Sequence, residues 1–172
     1  MASAIIGSST NWMRTLFTML TTVVLFVTAN AAHAKNNYYP WGWCTWGAAE
    51  LFNKTAPNPG VNWNGNADRW LWNAAAAGWD ARTSPKSVQP GAIICWTKGS
   101  SGMGHVAYVM AVDGKKQRIQ IMEMHWGQVL GVWNGPLWLQ MSSLNRKGLK
   151  ATYVFAGYIN PVWSSSRKVP RP

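Results

Sequence analysis

Acidic side chains are scarce in this chain. Five aspartates and glutamates stand against sixteen lysines and arginines, so the formal net charge is +11. Arg14 is the only charged residue before Lys35, and nearly all of this charge therefore lies in residues 35–172. The excess favours anionic partners, but the basic residues are scattered rather than gathered in runs. We therefore expect no nucleic-acid partner and keep other anionic polymers as candidates.

Cysteine and histidine are also rare, with two and three copies. Two cysteines cannot form a disulfide framework, although an exported chain would permit a single bridge between Cys44 and Cys95. A metal site built from Cys44, His105, Glu123 and His125 lacks the ligand spacing typical of zinc sites. We therefore expect no metal and no other cofactor.

Long apolar runs are missing as well. The uncharged stretch 15–29 holds only about a dozen strongly apolar residues, short of the ~20 that span a bilayer. It follows Arg14 and precedes the small-x-small sequence Ala32-His33-Ala34. These features predict a secretory signal peptide over residues 1–34 and an exported protein, located in the extracellular space, the cell wall or the periplasm. An uncleaved membrane anchor is the alternative, and it is the only membrane contact that we expect.

The remaining chain suits one domain. Residues 35–162 are numerous enough to bury a core without disulfides. Residues 163–172 are rich in serine, proline and basic side chains, which predicts a disordered tail.

Helix signals come first in the domain. One helix is predicted to begin near Cys44, directly after Pro40 and Gly42, and to continue to about residue 52. A second helix is predicted from Asn66, as N-cap, to Gly78, as the residue that ends it. Residues 81–90 have loop composition.

Strand signals follow from residue 92 onward, as short apolar runs separated by turn residues. The predicted strands are 92–96, 105–112, 118–125, 130–133, 138–141 and 152–159. No long helical segment separates them, so the sheet should be antiparallel. The sequence thus predicts an α+β domain whose N-terminal helices pack on an antiparallel sheet of about five to six strands.

Cys44 is the first candidate for chemistry. A thiol at a helix N-terminus is shifted toward thiolate by the positive end of the helix dipole, and a thiolate attacks carbonyl carbons. The alternative is a small buried apolar residue, because cysteine is often buried. Cys95 lies within an apolar strand, where we expect it to be buried and inert.

His105 and Glu123 are the next candidates. A cysteine nucleophile needs an imidazole to move the proton, and the imidazole needs an acceptor that orients it. His105 opens a predicted strand, where it could equally be a satisfied half-buried residue. Glu123 shares a strand face with Ile119 and Ile121, and a buried carboxylate needs a partner. A histidine on the neighbouring strand would supply one.

This pairing depends on the loop between the two strands. Residues on one face of an antiparallel pair have numbers that add to a constant total, which must be even to match His105 with Glu123. The sequence Asp113-Gly114 favours a two-residue turn, which gives an odd total and opposite faces. We therefore expect a loop of three or five residues instead.

These residues and their surroundings resemble the CHAP family (cysteine, histidine-dependent amidohydrolases/peptidases), which is similar in fold to papain-like proteases. The resemblance runs from about residue 38 to 161, with the motifs in family order. They stand at residues 39–46 (Tyr-Pro-Trp-Gly-Trp-Cys-Thr-Trp), 65–70 (Gly-Asn-Ala-Asp-Arg-Trp), 90–93 (Pro-Gly-Ala-Ile) and 104–107 (Gly-His-Val-Ala).

The resemblance implies roles. Cys44 would be the nucleophile, His105 the general base and later acid, and Glu123 the residue that orients His105. Family members hydrolyse amide bonds in peptidoglycan, which implies peptidoglycan or another anionic wall polymer as partner. Two alternatives stay open: a catalytically weak wall-binding protein on the same scaffold, and an amidase acting on a small peptide or polyamine conjugate.

The chain departs from the family at three positions. Trp43 replaces the usual glutamine before the nucleophile, Ala92 replaces an aspartate, and His125 replaces an asparagine two residues after Glu123. His125 would share the face of Glu123 and could compete for its carboxylate, or be a rim residue without a role. Aromatic faces stack on sugar rings, so we predict substrate-binding roles for Trp41, Trp43 and Trp46, and for His125.

Overall fold

The computed structural model describes residues 36–57, 59–98, 103–148 and 151–163. The signal peptide predicted for residues 1–34 lies outside these ranges, as do residues 164–172 of the predicted tail. Trp163 was assigned to that tail, but it is the last residue of a strand. Its indole N–H donates to the carbonyl of Ala77 at 3.0 Å, which keeps it in the fold.

Helix α1 spans Cys44–Thr55 and begins at the residue predicted. The second predicted helix is divided into a 3-10 turn, Ala67–Arg69, and helix α2, Trp70–Ala76. Asn66 precedes the turn, but its side chain makes no capping hydrogen bond. Gly78 ends the segment as predicted, with φ 96° and an N–H that donates to the carbonyl of Ala75. Within the described ranges, no helix has the length and apolarity to cross a bilayer.

Seven strands lie in the described residues and pair antiparallel throughout. They are β1 (Trp79–Arg82), β2 (Ile93–Thr97), β3 (His105–Asp113), β4 (Arg118–Met124), β5 (Trp133–Gln140), β6 (Arg146–Lys147) and β7 (Thr152–Trp163). The spatial order is β1-β7-β2-β3-β4-β5, with β6 paired to β7. Further 3-10 turns are Pro85–Ser87 and Trp126–Gln128. The predicted α+β fold is confirmed.

Three strand predictions need correction. The predicted strands 130–133 and 138–141 are replaced by one strand, β5, which contains only Trp133 of the first segment and residues 138–140 of the second. Gly135-Pro136 does not end this strand, because β5 is an edge strand, where proline is tolerated. Strand β1 follows the predicted helix end at Gly78 and includes the first two residues of the predicted loop 81–90, because it forms by pairing with the far end of β7. Strand β7 itself continues four residues beyond the predicted end at Ile159.

Buried side chains cover both faces of the sheet. On the helix side, Trp70 and Leu71 of α2 pack with Phe52 of α1 in one apolar cluster. A Cβ at Gly157 of β7 would lie 2.2 Å from the carbonyl oxygen of Arg82, so only glycine permits this approach of chain segments. The second cluster lies on the opposite face and contains Trp96, Ile119 and Ile121, among others.

The hairpin of β3 and β4 has a loop that the sequence did not predict. Asp113 pairs with Arg118, which leaves a four-residue loop rather than two, three or five residues. The Asp113 carboxylate holds this loop, accepting from the backbone N–H of Lys116 at 3.1 Å and from Arg118 Nε at 3.2 Å. These bonds to the aspartate favour the wider loop over the tight turn.

With a four-residue loop, the numbers of paired residues add to an odd total, which would place His105 and Glu123 on opposite faces of the sheet. A bulge at Met110 corrects this, because the register shifts by one between Val109 and Ala111. On the His105 side of the bulge, Val109 pairs with Ile121, and the residue numbers of paired residues add to an even total. His105 and Glu123 therefore lie diagonally on one face, as predicted, although the loop length predicted for that purpose was wrong.

Candidate active site

Cys44 is the first residue of α1, directly after Trp43 in extended conformation. The helix packs tightly on the sheet at its second turn. A Cβ on Gly47 would lie 2.7 Å from the Cβ of Met124, the last residue of β4. This glycine therefore lets the helix that carries Cys44 approach the strand that carries Glu123.

His105 and Glu123 form a buried pair. His105 Nε2 lies 2.9 Å from Glu123 Oε2, and the two residues are 4% and 1% exposed. Gly104 permits the close packing just before His105, since a Cβ there would lie 2.1 Å from the carbonyl oxygen of Trp96. The contact inferred from the sequence is present, and it leaves Nδ1 as the ring nitrogen available to the thiol.

Cys44 and His105 shift each other toward the charged state. Burial raises the pKa of the Cys44 thiol, but the charge of His105 and a hydrogen bond with its ring outweigh burial, so the pKa is lowered. Burial lowers the pKa of His105, but Cys44 and Glu123 outweigh it and raise the pKa to about 9. Both shifts favour the pair of thiolate and imidazolium, the state in which the sulfur attacks a carbonyl and the ring protonates a leaving amine.

The two thiols should differ in reactivity. We expect iodoacetamide to alkylate Cys44 in the folded protein before Cys95, with a rate that rises below the pH of ~8.5 typical of a free thiol. Cys95 is 1% exposed, and burial together with the charge of Cys44 raises its pKa. Peptide mapping after timed labelling from pH 5 to 10 measures both rates. Faster labelling of Cys95 would remove Cys44 from the proposed role.

Arg146 is a member of the site that the sequence reasoning missed. Its guanidinium donates to both carboxylate oxygens of Glu123, with Nη2 2.9 Å from Oε1 and Nη1 in contact with Oε2. It lies 3.7 Å from the centroid of the Trp126 ring. Burial raises the pKa of Glu123, but hydrogen bonds from His105 and Arg146 outweigh burial and lower it. Glu123 is therefore a fixed carboxylate with two partners.

The segment around Arg146 looked like a turn in the sequence. It forms the two-residue strand β6 only because it pairs with β7, where Arg146 lies opposite Tyr153. One signal could have predicted a second partner for Glu123. A carboxylate has about four acceptor sites, and a single histidine uses one of them, so a buried glutamate requires further donors.

Aromatic rings enclose His105. Its ring centroid lies 4.9 Å from that of Trp126, 5.8 Å from Trp96 and 6.1 Å from Tyr153. This surrounding keeps water away from the His105–Glu123 pair, which strengthens the electrostatic interactions between the charged groups.

Two cavities meet at Cys44, with volumes of about 330 and 340 Å³. Trp43 and Cys44 line both of them. A substrate chain can therefore extend on both sides of an amide bond placed at the thiol. Of the other predicted binding residues, His125 lines one cavity, whereas Trp41 and Trp46 lie side by side outside both, with ring centroids 6.5 Å apart.

His125 takes a different position from the one predicted. Strand β4 ends at Met124, and His125 has left-handed backbone angles, φ 62° and ψ 27°. Its ring therefore turns to Trp43, with centroids 4.7 Å apart, instead of competing for Glu123, whose oxygens accept from His105 and Arg146. The buried Nδ1 of His125 has no hydrogen-bond partner among the described residues. A substrate-binding role for His125 stays a prediction.

Metal ligands do not gather here. In the ranges that the structure describes, no group of three or more histidine, cysteine, aspartate and glutamate side chains is arranged to hold a metal ion. Cys44 and Cys95 are both free thiols.

Comparison with known proteins identifies the family. The sequence profile of the CHAP domain matches residues 34–125, just over half of the chain. The chain belongs to the CHAP family. The resemblance is thus confirmed, and with it the coarse prediction of a hydrolase family.

Relatives of this CHAP protein are found in streptococci and staphylococci. It is 34% identical over 119 residues to a Streptococcus mutans protein named "Putative hydrolase", covering 69% of this chain and 51% of that protein. It is 36% identical over 104 residues to the staphylococcal secretory antigen SsaA of Staphylococcus epidermidis, covering 60% and 37%. The chain thus spans about half, or less, of these relatives. The crystal structure of Ly7917 matches with a TM-score of 0.43 and 21% identity, covering 76% of this chain and 58% of that one.

Proposed function

We propose that this protein is an exported cysteine amidase or endopeptidase that cleaves amide bonds of peptidoglycan through a thioester acyl-enzyme. The observation that carries the proposal is the contact series Cys44–His105–Glu123 in a buried site. Its thiol pKa is lowered and its imidazole pKa is raised to about 9. A cysteine with a purely structural role has no need of an oriented, charged histidine.

Acylation follows from this arrangement. The Cys44 thiolate attacks the amide carbonyl carbon, and the oxygen becomes an oxyanion next to the N-terminus of α1, whose free backbone N–H groups favour negative charge. The His105 imidazolium gives its proton to the amide nitrogen as the carbon–nitrogen bond breaks. The amine leaves, and the acyl group stays on sulfur as a thioester.

Deacylation reverses the roles. The neutral His105 takes a proton from water, whose oxygen attacks the thioester carbonyl, and the carbon–sulfur bond breaks. The product leaves as a carboxylic acid, which gives its proton to water, and the thiolate and imidazolium are restored. Glu123 stays ionised throughout and keeps the ring oriented, because Arg146 neutralises its charge.

Charge and aromatic rings support a wall substrate. The excess of lysine and arginine suits a polyanionic polymer, and the half-exposed Trp43 offers a ring at the junction of the two cavities. Export is part of the proposal, and it rests on the signal-peptide pattern of residues 1–34.

Mass spectrometry of released wall fragments tests the proposal. We expect wild-type protein to release soluble fragments from purified peptidoglycan and Cys44→Ala to release none above background. A new amino terminus on L-alanine would identify the amidase, and one within the stem or cross-bridge would identify the endopeptidase. Equal wall binding by both proteins without any release would contradict hydrolysis and favour the wall-binding alternative.

A further inference from the structure

A third cavity lies away from Cys44, His105 and Glu123. It has a volume of about 690 Å³, roughly twice that of each cavity beside the thiol, and it is bounded by residues 36–39, 61–64, and parts of α1 and α2. Six of its thirteen lining residues are asparagines, the others are apolar or aromatic, and none of the described lining residues is charged. The asparagines are Asn36, Asn37, Asn53, Asn62, Asn64 and Asn73.

Two buried N–H groups in this wall lack acceptors among the described residues: Asn53 Nδ2 and Trp63 Nε1. The Asn53 amide cannot simply be reversed, because its Oδ1 accepts from the backbone N–H of Val61 at 2.7 Å. Trp63 is 7% exposed, and its ring is held by edge contacts with Phe52 and Trp79. A buried donor without an acceptor is costly, so both groups favour a ligand oxygen.

Two other carboxamides of the cavity wall are held in place by hydrogen bonds to neighbouring residues. Asn62 Oδ1 accepts from Trp79 Nε1 at 2.8 Å, and Asn73 Nδ2 donates to the carbonyl of Asn64 at 2.7 Å. Each bond uses one atom of the carboxamide and fixes the direction of the other. The cavity therefore presents polar groups whose orientation is set before any ligand arrives.

We propose that this cavity binds a neutral acetamido sugar, as part of an oligosaccharide. An acetamido carbonyl and sugar hydroxyls would supply oxygen acceptors for its two unpartnered donors, and its fixed carboxamides match the mixed donors and acceptors of neighbouring hydroxyls. The uncharged lining gives no counter-ion for an anionic or cationic ligand. Tyr38 and Tyr39 add aromatic surface for a sugar ring, and the volume lies in the usual range for small-ligand sites.

Tyr39 connects this cavity to the catalytic cleft. It lines both this cavity and the 340 Å³ cavity beside Cys44, and its hydroxyl donates to the carbonyl of Trp63 at 2.7 Å. A glycan bound here lies next to the cleft and can hold a wall polymer beside the thiol. That second role rests on the proposed function, whereas sugar binding itself does not.

A titration with tri-N-acetylchitotriose, followed by NMR of the tryptophan indole N–H signals, tests binding in the full chain. We expect the Trp63 signal, assigned by its loss in Trp63→Phe, to shift with saturation, whereas cellotriose, without acetamido groups, binds more weakly. Trp63→Phe, followed through the indole signal of Trp79 that bonds to Asn62 of the cavity wall, and Asn53→Asp each remove a donor, and each should weaken binding about 3- to 10-fold. Trp138→Phe, on exposed β5, is the matched control and should bind as wild type.

The outcomes separate this inference from the proposed function. Saturable sugar binding by Cys44→Ala with wild-type affinity supports the site independently of catalysis. Release of wall fragments by a protein whose Trp63 signal stays fixed at high sugar concentration overturns the sugar site and leaves hydrolysis standing. A shift of the Trp63 signal by neutral tri-alanine but not by the sugar also overturns it, in favour of a peptide ligand.

Discussion

Replacing His105 with alanine is expected to lower the turnover of wall amide bonds on the order of 10⁴-fold or more, because the step loses the group that moves the proton. The same change should move the alkylation profile of Cys44 to higher pH, since His105 is the main group that lowers the thiol pKa. Stability should fall by only about 1–3 kcal/mol, because Arg146 continues to pair with Glu123.

The raised pKa of His105 determines how folding stability and activity change with pH. The pKa of folded His105 is about 9, above the ordinary 6.5. Its contribution to folding stability is therefore fully present below about pH 6.5 and is lost as the pH rises through about 9. Wild-type kcat/KM should fall along an alkaline limb near pH 9, as the imidazolium loses its proton. Turnover of His105→Ala near that of the wild type would contradict the proposed mechanism.

Arg146→Met is expected to destabilise the fold by about 3–5 kcal/mol, measured by urea unfolding at pH 7. The side chain of Glu123 has no exposed surface, and this change leaves its carboxylate with only one of its two partners, His105. Arg118→Met is the matched control. Arg118 also pairs with a carboxylate and lies over a tryptophan ring, but that pair is partly exposed and should lose far less.

A double-mutant cycle shows where the loss comes from. From sequence alone, Glu123→Gln looks mild, because glutamine can still accept from the histidine ring. The structure changes this expectation, since both carboxylate oxygens accept and the NH₂ of glutamine would have to face a donor of Arg146 or His105. Glu123→Gln and Arg146→Met together should therefore cost less than the sum of the two single changes. Additive losses would show that the two residues do not act as a pair.

The features of the site that could be read from the sequence are those that local chemistry determines. Cys44 was placed at a helix N-terminus because Pro40 and Gly42 interrupt the backbone just before a run of helix formers. Glu123 was matched with His105 because a carboxylate inside an apolar strand needs a donor. Both expectations use nearby residues or strand alternation, and the structure brings these side chains together.

The features that were missed depend on distant contacts. Arg146 reaches Glu123 from a two-residue strand that exists only through its pairing with β7. Strand β1 likewise depends on β7, and its Asp80 and Arg82 gave no local strand signal. The bulge at Met110 had no signal either, because Met110 lies in a continuous apolar run, residues 106–112, in which no residue marks an interruption of the strand pairing.

That bulge also limits how the gene can vary in length. The four-residue loop and the extra residue at Met110 are two single-residue offsets that cancel, which leaves His105 and Glu123 on one side of the sheet. Loss of one codon from the loop alone, or from the bulge alone, would turn the histidine away from its carboxylate. Insertions or deletions in this hairpin therefore keep His105 and Glu123 on one face only if they change the length by two residues, or if a one-residue change in the loop is balanced by a one-residue change in the strand.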